Sequence, residues 1–343
     1  MGKKINRKEF IWLDRNESYF FLNRRILNKI KKFDSSIISR YPRYGELKKV
    51  LAKRYNSNPE NILLTNGAEQ SIRLFIQTFF KKGDKVLLPA PTFVVFTLAL
   101  KSIGIKPNVI FYKELNNKFI FPTAEVISAI DKKTKGILLC NPNNPLGSSI
   151  TRKEILSILN KTRKFKIPVV IDEVYSEFSG YSSIKLTENY KNLIIIKSFS
   201  KEFAMAGLRL GFLVAEKEMI NKLEEKRDLP WAVNHFAIHT AMILLRERKY
   251  LRKKIKEVLK IKKELVNFLR LKGLKCYETD TNFVIIKHKN YKKLLKNLAF
   301  KGIFLSETSK YAYGQKLLKG TIRMGVPSKE DFKKIKQRFS KIH

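Results

Sequence analysis

The stretch Ser198-Phe199-Ser200-Lys201-Glu202-Phe203-Ala204-Met205-Ala206-Gly207-Leu208-Arg209-Leu210-Gly211 places one lysine between two serines and an arginine. A lysine poised as a free amine can hold an aldehyde as an imine, while hydroxyls and a guanidinium beside it can hold a phosphate. Lys201 is therefore the first candidate catalytic residue. A lysine amid serines is common, however, and its meaning depends on what else the chain brings near it.

Around this segment, from 60 to 215, short apolar runs alternate with helical patterns, which points to a largely parallel sheet covered by helices. Candidate strands lie at 62–64, 85–88, 136–140, 168–171, 193–197 and 211–215. Between the first two, Ile72, Phe75, Ile76 and Phe79 recur at helical spacing. Thr151 and Glu154 form a capping-box pattern that opens a helix running towards Lys164. A basic helical pattern from about 236 to 272 carries Leu251, Ile255, Val258, Leu259, Leu265 and Phe268 and closes at Gly273. It reads as a link between domains. Beyond it come a strand at 282–287, a helix at 291–301, short strands near Ile303 and Ile322 and a final helix after Ser328, an α+β order. The chain thus divides into an N-terminal arm (1–40), a large α/β domain (41–240) and a small C-terminal domain (241–343).

Ligands of open parallel sheets bind beyond the carboxyl ends of the strands, so the residues following each strand form one set. After 62–64 comes Asn66-Gly67-Ala68-Glu69, a tight turn into a helix whose free amides suit a phosphate. After 136–140 comes Asn141-Pro142-Asn143-Asn144-Pro145-Leu146-Gly147, after 168–171 Asp172-Glu173-Val174-Tyr175, and after 193–197 the lysine segment. A pyridoxal-type cofactor needs a carboxylate to keep its ring nitrogen protonated, and Asp172 supplies one. Asn144 and Tyr175 offer partners to the ring oxygen, and Ser198, Arg209 and the amides of Ala68 and Glu69 offer a phosphate site. Singly, Asp172 reads as a cap, Tyr175 and Phe93 as core aromatics and Asn144 as a turn residue. Their joint order is what turns the reading towards chemistry.

In spacing and residue type the chain resembles the aminotransferase class I/II family of fold type I from about Leu13 to Ile342. The resemblance implies an α/β fold, a large domain with a mostly parallel seven-stranded sheet between helices plus a smaller α+β C-terminal domain. It implies pyridoxal 5′-phosphate as cofactor, with Lys201 as anchor and acid–base, Asp172 at the pyridine nitrogen, and Ser198 and Arg209 at the phosphate. Phe93, in Pro91-Thr92-Phe93, matches the aromatic that covers the cofactor ring, where relatives often carry tyrosine; stacking survives that change. Leu13-Asp14-Arg15-Asn16-Glu17, Arg40-Tyr41-Pro42 and Thr281-Asn282-Phe283 are similar to the histidinol-phosphate aminotransferase branch and its relative, the threonine-phosphate decarboxylase of the cobalamin pathway. By that resemblance Tyr41 reaches the cofactor phosphate of a partner subunit in a homodimer, and Asn16 and Tyr19 belong to the loop that closes over substrate. Arg323, in Thr321-Ile322-Arg323-Met324-Gly325, matches the arginine that grips a substrate carboxylate or phosphate.

Two departures stand out. Phosphate-using relatives carry a second arginine after the Gly-Ile pair of the small domain, whereas Gly302-Ile303-Phe304-Leu305 here leads to Ser306. Asn16-Glu17-Ser18-Tyr19 also lacks the usual proline and glycine. Leu229-Pro230-Trp231-Ala232-Val233-Asn234 looks more like the decarboxylase. The expected activity is nevertheless transfer of an amino group between an amino compound and a 2-oxo acid such as 2-oxoglutarate, with amino-acid decarboxylation second.

Composition restricts the remaining classes. Lys and Arg total 71 against 30 acids, a formal charge of +41, which binds polyanions nonspecifically at low salt. The basic residues run along the whole chain without an RNA-binding signature, so no specific nucleic-acid partner is expected. The apolar run from Val86 to Leu100 is interrupted by prolines and threonines and is too short to span a membrane. Neither Cys140 nor Cys276 has a paired metal-ligand spacing, and a reduced, cytoplasmic protein is expected. His235 and His239, four apart, lack a third ligand, and no metal is expected.

Overall fold

The computed structural model describes residues 10–18 and 22–339. In chain order its strands are β1 (Ile11–Trp12), β2 (Ile62–Thr65), β3 (Lys85–Ala90), β4 (Asn108–Phe111), β5 (Lys113–Leu115), β6 (Lys118–Ile120), β7 (Thr134–Cys140), β8 (Val169–Asp172), β9 (Leu193–Ser198) and β10 (Gly211–Val214). The C-terminal part adds β11 (Lys275–Tyr277), β12 (Phe283–Lys287), β13 (Ile303–Phe304), β14 (Ser306–Glu307) and β15 (Thr321–Gly325).

Seven strands form the main sheet in the order β2-β10-β9-β8-β7-β3-β4. All neighbours are parallel except β10, which runs antiparallel to both β2 and β9. The six strands legible in the sequence are all present. The seventh, β4, is an edge strand whose end residues are exposed, so its burial leaves little hydrophobic pattern to read. The central strands are buried on both faces, which is why they read as continuous apolar runs. Ile137, Leu139, Val169, Ile171, Leu193 and Ile195 point into one core. Their neighbours Leu138, Val170, Ile194 and Ile196 point into the other. This alternation follows from the two-residue repeat of a strand.

The helix Gly67–Phe79 buries Ile72, Phe75 and Ile76 against the second core. Arg152–Arg163 starts at the expected capping box: the Glu154 amide donates to Thr151 Oγ1 at 3.3 Å and the Thr151 amide to Glu154 Oε2 at 2.7 Å. The expected single helix over 236–272 is instead two, His235–Arg246 and Arg248–Leu271. Glu247 between them leaves the helical region with ψ 43°, and its carboxylate accepts hydrogen bonds from Arg25 and Lys29 on an earlier helix. Periodicity alone could not reveal this break, because the apolar spacing continues through it. At the far end Gly273, at φ 74°, turns the chain so that the Leu274 amide donates to the Leu269 carbonyl at 3.1 Å.

A four-stranded antiparallel sheet, β11-β12-β15-β14, forms the C-terminal part. β1 pairs in parallel with β13, Ile11 opposite Ile303, and Ile11 and Leu13 join Leu265, Val284, Ile286 and Ile322 in a third core. Residues 11–13, ahead of the first helix, Arg24–Lys31, are therefore packed with the C-terminal part of the chain. This pairing carries residues 14–18 to the mouth of the main sheet.

Candidate active site

Asp172 and Ser198 are the last residues of the adjacent parallel strands β8 and β9, so both emerge at the same edge of the sheet. Asn144 and Tyr175 lie in the turns after β7 and β8, and Lys201 follows Ser198 by one turn. Together with Asn16, Ala68, Glu69, Phe93, Ser200, Arg209 and Arg323 they line one cavity of about 640 Å³.

The Lys201 Nζ donates to the carbonyls of Asn16 at 2.8 Å and Arg15 at 3.0 Å, and sits 5.8 Å from the centre of the Tyr175 ring. Burial, reinforced by the Arg323 and Arg209 guanidiniums and opposed by Glu17 and Asp172, lowers its pKa to about 7. A usable fraction of free amine is thus present at neutral pH. Asp172 is 3% exposed, and its Oδ1 accepts from the Val174 amide at 3.1 Å. Burial raises its pKa to about 7, with Glu173 adding to the rise while the Val174 amide, Lys197 and Lys201 oppose it. A cation placed against it would restore the carboxylate.

Gly67 does not line the cavity but makes it possible. Its φ is 70°, and a Cβ there would lie 2.8 Å from the Arg209 Nη2. The arginine is thereby laid across the start of the helix Gly67–Phe79, itself in the left-handed region at φ 52°. Glu69 Oε2 lies 3.7 Å from its Nη2. A guanidinium, the Ser198 and Ser200 hydroxyls, which lie 3.0 Å apart, and a helix N-terminus thus meet in one place, a donor set suited to a phosphate.

On the opposite wall Arg323, 4% exposed in β15, donates through Nη1 to Asn144 Oδ1 at 2.6 Å and to the Tyr311 hydroxyl, and through Nη2 to the Asp14 carbonyl at 2.6 Å. Its Nε is buried without a partner, which leaves one edge of the guanidinium free to receive an anion. The Tyr175 hydroxyl accepts from Asn16 Nδ2 at 3.0 Å, and burial raises the pKa of that phenol.

Tyr41, an expected site residue, lies elsewhere. Tyr41 is 73% exposed, stacks on Trp231 at 4.5 Å and does not line this cavity. Tyr19 lies outside the described residues. His235 and His239 place ring nitrogens against the carbonyls of Arg40 and Ile30, at 3.1 and 3.2 Å. Sequence reading missed Tyr311, Ser200, Val174, Ala206 and Gly207, and gave Asp14, Arg15 and Glu17 no site role. Ser200 was within the quoted segment. Tyr311 had no signal, because it follows β14 in a loop whose path only the folded chain defines.

The family model described as aminotransferase class I and II matches residues 8–339. Histidinol-phosphate aminotransferase of Ruminiclostridium cellulolyticum is 30% identical over 326 residues, 93% of this chain and 89% of that protein. A Caldanaerobacter subterraneus subsp. tengcongensis protein, provisionally named threonine-phosphate decarboxylase, is 34% identical over 315 residues, 89% of this chain and 83% of that protein. The crystal structure of the histidinol-phosphate aminotransferase from Clostridium acetobutylicum superposes with a TM-score of 0.85 at 25% identity, covering 96% of this chain and 97% of that one.

Proposed function

The chain belongs to the aminotransferase class I and II family, and we propose that it moves an amino group from a small amino donor to a 2-oxo acid, with 2-oxoglutarate and glutamate as one substrate pair. The family depends on pyridoxal 5′-phosphate, and this chain is a pyridoxal-phosphate-dependent aminotransferase. The observation that carries the reading is the meeting of Lys201, Asp172, Arg209 and Arg323 in one cavity. That donor set fits the cofactor: an amine of lowered pKa for its aldehyde, a buried carboxylate for its ring nitrogen and a guanidinium at a helix N-terminus for its phosphate.

Bound there, pyridoxal phosphate supplies an electron sink for the carbanion formed beside the substrate nitrogen. In this reading Asp172 would hold a proton at the ring nitrogen, and Asn144 and Tyr175 would hold the ring oxygen. Ser198, Arg209 and the amides of Ala68 and Glu69 would hold the phosphate, with Gly67 keeping the approach open, and Phe93 would lie against the ring. Arg323 orients the substrate's anionic group through its free edge. Asn16 would help seat the substrate. Lys201, as a free amine in this cavity, would take a proton from the substrate carbon and hold it at Nζ.

Among the described residues no helix is long and apolar enough to cross a membrane. We place the enzyme in the cytoplasm, a reading supported by two buried free thiols, Cys140 and Cys276. We also propose a homodimer in which Tyr41 completes the partner's phosphate site; its exposure, with Trp231 at 55% and Leu229 at 54%, supports this. The division at 41 and 241 belongs to the same proposal, supported by a separate core around β12 and β15.

The test is to reconstitute the protein with pyridoxal phosphate and add single amino donors, with and without 2-oxoglutarate. Loss of the cofactor's visible band on adding donor, and glutamate formation once acceptor is present, are expected. Carbon dioxide release without acceptor would favour decarboxylation, the reading that the Caldanaerobacter relative's name supports.

A further inference from the structure

Lys201 lines the active-site cavity, whereas Glu202, the next residue, lines a separate cavity of about 190 Å³ with Arg54 and Glu177. Successive side chains thus leave one turn for different places. The turn itself is strained, because Ala204 sits at φ 54°, in the left-handed region where a Cβ crowds the following carbonyl. A residue held in that region persists only where its surroundings over-determine it. Inside the turn the Met205 amide donates to the Phe199 carbonyl at 3.0 Å, and the Ala204 amide reaches the Lys201 carbonyl only at 3.4 Å. The cavity beside Glu202 leaves the turn room to relax on that side.

Arg54, in the last turn of the helix Gly45–Tyr55, opposes that relaxation. Its Nη2 donates to Glu202 Oε1 at 2.6 Å, and its guanidinium carbon stands 5.3 Å from the centre of the Phe203 ring. One side chain therefore grips two consecutive residues of the turn. Phe203 packs in addition on Phe199, ring centres 4.4 Å apart. The Arg54 and Glu202 side chains are only 14% and 5% exposed, so solvent and salt weaken their contact little. Burial, with Glu177 adding to it, raises the Glu202 pKa to about 8 against the pull of Arg54 and Lys197. A neutral carboxyl still offers its carbonyl oxygen to the guanidinium, so the grip persists in either protonation state.

We propose that Glu202, through Arg54, is a positioning residue of the aminotransferase: the pair holds the strained turn at Ala204 in shape and thereby keeps Lys201, just ahead of it, aimed into the active-site cavity. The inference rests on the aminotransferase reading above and adds to it a residue that lies outside the cavity where the chemistry occurs.

Four proteins separate this role from plain loss of stability: the natural chain, Glu202→Ala, Ala204→Gly and the last two combined. Glycine adopts the left-handed turn without strain, so at 204 it should make the grip of Arg54 dispensable. In the holoenzyme, Glu202→Ala should slow conversion of the bound cofactor at saturating L-glutamate by about tenfold or more, with the half-saturating concentration little changed. Adding Ala204→Gly should recover most of that loss, and Ala204→Gly alone should stay within about twofold of the natural rate. In the apo-protein, hydrogen exchange of a peptide covering 199–205 should quicken in Glu202→Ala and slow again once glycine is added. Glu202→Gln, which keeps an oxygen for Arg54, should lie between the natural chain and Glu202→Ala. A natural rate in Glu202→Ala, or a loss that Ala204→Gly leaves uncorrected, would overturn the positioning role. Should Glu202→Ala not fold, Arg54→Met with and without Ala204→Gly makes the same comparison from the other end of the pair. Failure of glutamate and of every other standard amino acid to convert the cofactor in the natural chain would instead overturn the aminotransferase reading, and hydrogen exchange would still decide whether the pair holds the turn.

Discussion

Lys197 and Lys201 lie four residues apart, one inside β9 and one just beyond it, and their surroundings differ in sign. Lys197 is 3% exposed; its Nζ donates to the Ser176 hydroxyl and lies 3.7 Å from Glu173 and 3.8 Å from Glu177. Lys201 faces neutral carbonyls, with two guanidiniums among the charges that act on it, and its pKa falls to about 7. Burial is common to both. Carboxylates surround the first, whereas burial with the Arg323 and Arg209 guanidiniums leaves the second a usable amine.

The comparison is easiest to break at Lys201. Lys201→Ala, purified with pyridoxal phosphate, should lose the absorbance of a lysine-bound pyridoxal group, and turnover should fall by roughly 10²–10⁴-fold from the lost acid–base function alone. Retention of both would remove Lys201 from the chemistry. Asp172→Ala should slow turnover by roughly 10²–10³-fold, with a much smaller change in melting temperature; a near-normal rate would end its proposed role.

Lys197→Met reverses the pattern. It leaves Glu173, whose side chain is fully buried, without its cation and should destabilise the fold by about 3–5 kcal/mol in denaturant unfolding, while the folded fraction still takes up cofactor. Lys197→Met combined with Glu173→Gln should cost less than the single change. If Lys197→Met instead abolished the visible band without loss of stability, the distinction between the two lysines would fail.

The pH dependence sharpens the contrast further. Below about pH 7 Lys201 is an ammonium and cannot attack an aldehyde; above it the amine is free. Capture of pyridoxal phosphate by the apo-protein, followed by absorbance, should therefore accelerate as pH rises through about 7 and then level off. A rate still climbing steeply above pH 9 would mean an unperturbed lysine. The smallest effect is expected at Tyr175→Phe, which removes the hydroxyl that accepts from Asn16, a loss of roughly threefold to tenfold in turnover.

Residues whose place follows from the strand that ends at or before them were legible in the sequence. Asp172, Ser198 and Asn144 follow apolar runs, and a parallel sheet sends every such run's end to the same side. Glu202 was not legible: it sits beside Lys201 in the quoted segment, yet only the fold brings it within 2.6 Å of Arg54 in a buried ion pair. The split at Glu247 was hidden because the partners of its carboxylate, Arg25 and Lys29, are distant in sequence.

The sequence by itself determined six of the seven strands of the main sheet, the family and the residues that follow those strands into the cavity. Local periodicity, turn residues and the Lys201 segment act over short spans, and each carries its information within a few residues. Only the tertiary structure decided how the opposite wall is assembled. Pairing of Ile11 with Ile303 brings residues 14–18 against Lys201, and β15 presents Arg323 to Asn144 from 179 positions away. Contacts of that separation leave no periodic trace in a single chain, because they are made by packing and not by the local backbone.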